Sequence, residues 1–177
     1  MKELRKYGHI RRTDDLGRII IPKEIRQFLN IRENEPLEIS VMERGIYIEK
    51  YPPLQTLESL CEQYLTVLFK SCNIACAVCS NEQIIRSKGI SLSTGQLLSA
   101  PLRKGIQNLE TYHYSEESPL RVFDDSKYLL DSVYPVGSKE QPLGAVILLH
   151  YRSTTPEERC CAKLIADILT ELTINQS

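Results

Sequence analysis

The chain has 177 residues, 42% of them hydrophobic and 25% charged, and a formal net charge of −1. This is the composition of an ordinary globular protein with one large domain or two small ones. With no apolar leader and no run near the roughly 20 apolar residues of a membrane span, a cytoplasmic protein is expected. The small net charge hides an asymmetry. Residues 1–32 hold nine Lys or Arg against four acids, a net +5, whereas residues 33–53 and 54–177 each carry −3. A basic segment on an otherwise acidic chain points to a polyanion partner.

In chain order, "GHIRRT" (8–13) reads as a strand, and "DDLG" as a turn whose Gly17 is free to take positive φ. "RIII" (18–21) reads as a second strand. Pro22 suits the first position of a helix, whose inward face would be Ile25, Phe28 and Leu29. Leu37, Ile39 and Val41 alternate with polar residues, as do Ile46 and Ile48 beyond the turn Glu43-Arg44-Gly45, which predicts a hairpin. Pro52-Pro53 removes two backbone donors and favours an extended linker, giving domains 1–53 and 54–177. The first domain has a thin core and neither disulfide nor metal to staple it, so dimerisation is the expected remedy.

Beyond the linker the pattern changes. Leu57, Leu60, Cys61, Tyr64, Leu65, Leu68 and Phe69 fit a helix at every step. "NIACAVCS" (73–80) and "QIIRSKG" (83–89) predict two strands about Asn81-Glu82, and "SAPLRKGIQNL" (99–109) a helix with Pro101 near its start. "TYHYSEESPLRVFDDS" (111–126) shows no period and reads as a long loop. "LLDSVYPVG" (129–137) and "LGAVILLHY" (143–151) are strands around "SKEQP". Thr155 and Glu158 form a capping box with Pro156 at the first helical position. Cys161, Leu164, Ile165, Ile168, Leu169 and Leu172 then define a final amphipathic helix. The fold class is α+β, with a β-rich first domain and a helix–sheet–helix sandwich of about 120 residues as the second.

Arg11, Arg12, Arg18, Lys23 and Arg26 cluster about the glycine turn and the short helix. Double-stranded DNA is a dense line of phosphates, and guanidinium groups that neutralise them gain counterion-release free energy. Arg also meets phosphates and guanine edges at two points. Strand alternation sends Arg11 and Arg12 to opposite faces, leaving one of them to pair with Asp14 or Asp15. Those two acids have no further carboxylate or His at a useful spacing, so turn chemistry is preferred to a metal or catalytic role. His9, His113 and His150 are scattered and no serine sits in a nucleophile turn, so no catalytic residue is assigned. Cys72, Cys76 and Cys79 approach metal-ligand spacing, but no second Cys-x-x-Cys answers them. Buried structural thiols, without metal or cofactor, are the preferred reading.

At "RRTDDLGRIIIPKEIRQFLNI…PLEISV" the chain closely resembles the AbrB family of bacterial transcription regulators. The resemblance implies a swapped-hairpin dimer that binds DNA through surface arginines, which by position are Arg11, Arg18 and Arg26. Gln27 stands where many members carry a second helix arginine. "SVYPVGSKEQPLGAVILL" is similar to GAF modules, which implies a GAF-like α/β/α sandwich in 54–177. The region holding Tyr112, His113 and Tyr114 usually helps close a GAF ligand pocket, so these are candidates for contact with a small-molecule effector. The two-domain combination resembles sporulation regulators. It implies a nucleoid-associated homo-oligomer, a tetramer through paired GAF domains, with the helix at 57–69 as mediator. Two rivals are an antitoxin, whose fold in this region is shared but whose chain usually ends in a short disordered tail, and a GAF-type methionine sulfoxide reductase using Cys72, Cys76 and Cys79.

Overall fold

The computed structural model describes residues 9–29, 31, 33, 37–43 and 45–174. The chain divides into two compact units, residues 1–51 and 52–177. The fold is mixed α+β. In the first unit the expected hairpin is present: β1 (Leu37–Met42) pairs antiparallel with β2 (Gly45–Lys50), Ile39 opposite Ile48 and Val41 opposite Ile46. Glu43 takes φ +51° in its turn; Arg44 lies outside the described residues. A short helix, α1 (Lys23–Phe28), begins one residue later than expected, because Pro22 serves as its N-cap with extended backbone (φ −55°, ψ 147°).

Two expected strands are not formed. Residues 9–13 and 18–21 belong to no strand, and residue 8 of the first expected strand lies outside the described residues. Gly17 does take φ +76°, and the turn is closed by Gly17 N–H on Asp14 O (3.0 Å) and Asp14 N–H on Arg18 O (3.1 Å). An extended arm becomes a strand only when a neighbour completes its ladder, and these arms have no such neighbour in their own chain among the described residues. The expected inward face of α1 is not inward either. Ile25 is half-buried, Phe28 and Leu29 are exposed, and no large apolar side chain before Leu54 is buried among the described residues.

The second unit contrasts with this. Pro52-Pro53 is not an extended linker: Pro52 caps and Pro53 opens a four-residue helix, α2 (Pro53–Thr56), since proline is preorganised for a first helical position. Next come α3 (Glu58–Cys72), β3 (Cys76–Ser80), β4 (Ile84–Lys88), α4 (Ala100–Gln107), β5 (Tyr112–His113), β6 (Leu130–Gly137), β7 (Pro142–Leu149) and α5 (Pro156–Ile174). The five strands form one antiparallel sheet in the order β4-β3-β7-β6-β5. The loop expected at 111–126 therefore contributes a two-residue edge strand, too short for any period to reveal.

Strand alternation divides the core. Cys76, Val78, Tyr134, Val136, Val146 and Leu148 face α3 and α5. Ala77, Cys79, Val133, Ala145, Ile147 and Leu149 face α4 and the loops around it. Strands β3 and β7 approach so closely that a Cβ at Gly144 would overlap the Cys79 carbonyl oxygen. Ser99 caps α4, its hydroxyl accepting from Leu102 N–H. The capping box of α5 is reciprocal: Thr155 N–H donates to Glu158 Oε2 (2.9 Å), and Glu158 N–H to Thr155 Oγ1 (3.3 Å). The buried stripe of α5 is rotated from the expected one. Ala162, Ile165, Ala166, Leu169 and Thr173 are buried, while Cys161 and Leu164 are exposed.

Candidate nucleic-acid interface

The five expected cations lie on the turn, its arms and the first two turns of chain after them. Arg11, Arg12, Arg18 and Lys23 are exposed and Arg26 is half-buried. Contrary to expectation, Asp14 pairs with Arg18 rather than with Arg11 or Arg12. Its Oδ2 accepts Arg18 Nε–H at 2.7 Å, and its Oδ1 accepts the backbone N–H of Leu16 (3.0 Å) and of Arg18 (2.8 Å). The reason is local: an Asp at the start of a tight turn reaches donors two and four residues ahead, whereas preceding residues diverge from it. These bonds, first the Arg18 backbone donor and then its side chain, hold the Asp14 carboxyl below the usual carboxylate range. Arg11 Nη1 donates to Ile10 O at 3.0 Å.

Arg18 is thus fixed at Nε and presents the far end of its guanidinium to solvent, with its side chain 72% exposed. A fork held at its base and open at its tip can accept a phosphate at two points without first losing its own freedom. On α1, Glu24 lies in the first turn and Arg26 in the last, the favourable order for the helix dipole.

Beside the cations lies uncovered apolar surface. On one face of the hairpin Ile39, Val41, Ile46 and Ile48 are 37 to 80% exposed, and Ile10, Leu16, Ile19 and Ile20 are exposed on the turn arms. A soluble chain does not leave so much aliphatic surface wet in so small a unit.

In the second unit the structure separates the three residues expected at a ligand pocket. Tyr112 packs against the α4 side of the core. Its hydroxyl accepts Leu120 N–H (3.0 Å) and donates to Ser118 O (3.2 Å), pinning the loop that follows. His113 stands edge-on to Tyr134 and 3.4 Å from Ser132 Oγ. Tyr114 stacks on His150, ring centroids 3.6 Å apart. The centre of this region is Asp131, the extra residue of a β-bulge in β6. It is buried and accepts Ser132 Oγ–H at 2.7 Å and Thr154 Oγ1–H at 2.5 Å. His150 Nδ1 lies 3.5 Å from its other oxygen, long for a hydrogen bond. The bulge displaces a carboxylate toward the β7–α5 connection and ties it there, a structural anchor that sequence periodicity could not indicate.

Cys72, Cys76 and Cys79 do not face a shared site. Cys76 and Cys79 lie on opposite faces of β3, and burial pushes both thiols up to about 12. Cys72 is the last residue of α3, not part of the strand. Among the described residues no group of three or more His, Cys, Asp or Glu is arranged to hold a metal ion, and no helix is long and apolar enough to cross a membrane.

Comparison with known proteins agrees with this division. Residues 10–56 match the family model of the antidote-toxin recognition protein MazE, a bacterial antitoxin. The transition state regulatory protein AbrB of Bacillus subtilis is 40% identical over 55 residues, 31% of this chain and 57% of that one. The putative transition state regulator Abh of the same organism is 36% identical over 50 residues, 28% of this chain and 54% of its own. Stage V sporulation protein T of Bacillus subtilis is 30% identical over 159 residues, 87% of this chain and 89% of that one, so the likeness runs through both units. AbrB and Abh are named as regulators. The chain belongs to the family of stage V sporulation protein T, a two-unit member of the AbrB-type transcription regulators.

Proposed function

We propose that the chain is a sequence-selective regulator of sporulation genes that binds double-stranded DNA as a homo-oligomer on the nucleoid in the cytoplasm. One observation carries this reading: an exposed cluster of Arg11, Arg12, Arg18, Lys23 and Arg26 shares a unit with an apolar hairpin face its own chain leaves bare. A second copy answers both needs. Its extended arms complete the ladders that residues 9–13 and 18–22 lack, in a swapped-hairpin dimer, and its aliphatic side chains cover Ile39, Val41, Ile46 and Ile48. A two-fold dimer then presents the cations twice, matching dyad-related half-sites on a duplex.

The second unit, with helices on both faces of an antiparallel sheet, serves as a GAF-like domain that pairs dimers into a tetramer. Sensing by this domain is less favoured. Leu92, Leu98, Leu102, Ile106, Val122 and Phe123 fill the α4 side, so an effector there would have to displace packed aliphatic side chains. Tyr112, His113 and Tyr114 are each engaged by a different neighbour, the α4 side of the core, Tyr134 and His150 respectively. The apolar stripe of α3 is largely spent on its own core, which leaves Val67 on α3 and Leu164 on α5 as its exposed aliphatic contacts.

The match to the MazE model favours a second reading, a DNA-binding antitoxin whose own toxin engages the chain. Selection of genomic fragments on the full-length protein separates the two. Enrichment of dyad-symmetric sites by protein purified without a companion, lost as salt rises, supports the regulator. A small protein that co-purifies in fixed proportion and is needed for that enrichment supports the antitoxin.

A further inference from the structure

Six cysteines remain outside the proposed function, and all are free thiols. Cys61, Cys76 and Cys79 are buried, and no oxidant reaches them without unfolding. Cys72, Cys160 and Cys161 are accessible to differing degrees. Their placement follows from one electrostatic clamp. Arg152 donates Nη2–H to the carbonyl oxygen of Cys72 (3.1 Å) and grips Glu158 through Nη1 (2.9 Å) and Nη2 (2.6 Å). Glu158 lies in the first turn of α5. The clamp therefore holds the C-terminal end of α3 against the start of α5. One turn beyond Glu158 on the same helix face stands Cys161, on the side of α5 that the clamp holds to the end of α3 and near enough to Cys72 to act on its thiol. Cys160 is exposed and about 100° around the helix from Cys161.

We propose that Cys72 and Cys161 form a reversible intramolecular disulfide with a low-molecular-weight disulfide as oxidant, tying the end of α3 to the second turn of α5. Cys161 is the exposed partner and attacks first. Its thiolate bonds to one sulfur of the oxidant, the oxidant's S–S bond breaks, and one thiolate leaves. Cys72 then gives its proton to solvent and attacks the Cys161 sulfur, expelling the second thiolate. Two protein thiols are oxidised, one external disulfide is reduced, and the two protons end on the released thiols. The second step is intramolecular between two helix ends that the clamp already holds together, so it outruns a second external encounter. Cys72 is half-buried, and that burial, with Cys161 and Glu158 beside it, raises its thiol above the ordinary range. It is suited to resolve a mixed disulfide and poorly suited to start one.

The test is to incubate the reduced full-length protein with oxidised glutathione, quench in acid, alkylate the remaining thiols and map peptides without reduction. The expected product is a peptide pair joined through Cys72 and Cys161 that dithiothreitol reverses. Cys160→Ser leaves the joined pair intact. Cys72→Ser leaves glutathione on Cys161, and Cys161→Ser leaves Cys72 alkylated. A wild-type map with glutathione retained on Cys161 and Cys72 still alkylated overturns the proposal, as does a cross-link confined to Cys160 of two chains. The wild-type map decides the question by itself, so a serine variant that fails to fold does not rescue it.

Discussion

Asp14 and Arg18 close the turn of the basic segment on each other, one carboxylate taking the Arg18 backbone N–H and its Nε–H together. Toward a DNA phosphate at this turn Asp14 would act in two opposed ways: its charge would repel the phosphate, and its hydrogen bonds would aim the guanidinium at it. Asp14→Ala removes both. If aiming dominates, the variant binds DNA several-fold more weakly although it has lost a negative charge; tighter binding in a fluorescence titration would mean that repulsion dominates. The pair also sets an acid limit. Asp14 titrates below its unfolded value, so its contribution to the turn is complete above the ordinary aspartate range and is lost as pH falls through the lowered folded value.

Arg18→Ala and Arg26→Ala are each expected to weaken DNA binding while the protein stays folded. Neither side chain supports a buried core, so circular dichroism should not change. If each contacts one phosphate, the slope of log affinity against log salt flattens by roughly one unit per lost contact. Titrations at several salt concentrations check this, and an unchanged slope in both variants removes these arginines from the interface.

If a second copy covers the bare hairpin face, the first unit depends on that copy for its stability. Residues 1–53 alone should dimerise without a stable monomer, and their melting temperature should rise with concentration. Val41→Asp places a charge on a face that is harmless in a monomer and buried in a dimer. Each aliphatic side chain on that face is worth about 1.5–3 kcal/mol when covered, so the variant should fail to dimerise in sedimentation experiments. A monomer whose melting ignores a hundredfold dilution contradicts the swapped fold.

Much of the second unit was legible in its sequence, and the first unit was legible in its parts. The Thr155–Glu158 box, the Leu37–Lys50 hairpin and the body of the helix expected at 57–69 are short-range structures, and local pattern dictates them; that helix runs on to Cys72, past the expected end. What escaped was set by distant or absent neighbours. Residues 9–13 and 18–21 have strand composition, yet a strand exists only with a pairing partner. In α5 the buried stripe includes Ala162, Ala166 and Thr173 because the sheet lies close beneath it. Pattern reading favours large residues and so chose Cys161 and Leu164. The cation cluster was recognisable as composition, but the pairing of Asp14 with Arg18 needed the turn geometry.

The Arg152–Glu158 clamp predicts a second acid transition, confined to the second unit. Hydrogen bonds from Arg152 are the main reason that the Glu158 carboxyl is held down to about 2. Its unfolded value is about 4.3. The folded value is the lower one, so the clamp's contribution is present above the unfolded value and disappears as pH falls toward about 2. Glu158→Gln keeps an acceptor for Thr155 N–H but loses the ion pair. Its melting temperature should lie below that of the unaltered protein at pH 7 and converge with it near pH 2. A constant difference across that range would assign the loss to the capping box instead.

If residues 1–53 suffice to grip DNA, the second unit adds something other than that grip. If a dimer on one site takes its specificity from the cation cluster, the 124 residues from 54 to 177 act on something other than that contact. If they pair dimers, a second site is met at the high effective concentration set by the tether, and avidity on spaced sites rises without any new DNA contact. If they sense a ligand, that ligand must bind the DNA-competent and DNA-incompetent forms with different affinity. The filled α4 side and the dispersed Tyr112, His113 and Tyr114 favour the tether. Deleting residues 54–177 should therefore leave single-site affinity within a few-fold and abolish cooperativity between two sites, as read from titrations on one-site and two-site DNA. Val67→Asp with Leu164→Asp in the full-length chain should reproduce the loss of cooperativity while the second unit stays folded, because both side chains are exposed in the single chain. Equal cooperativity in the intact and truncated proteins rules out the tether, and a small molecule that shifts the full-length curve alone would put a sensor in its place.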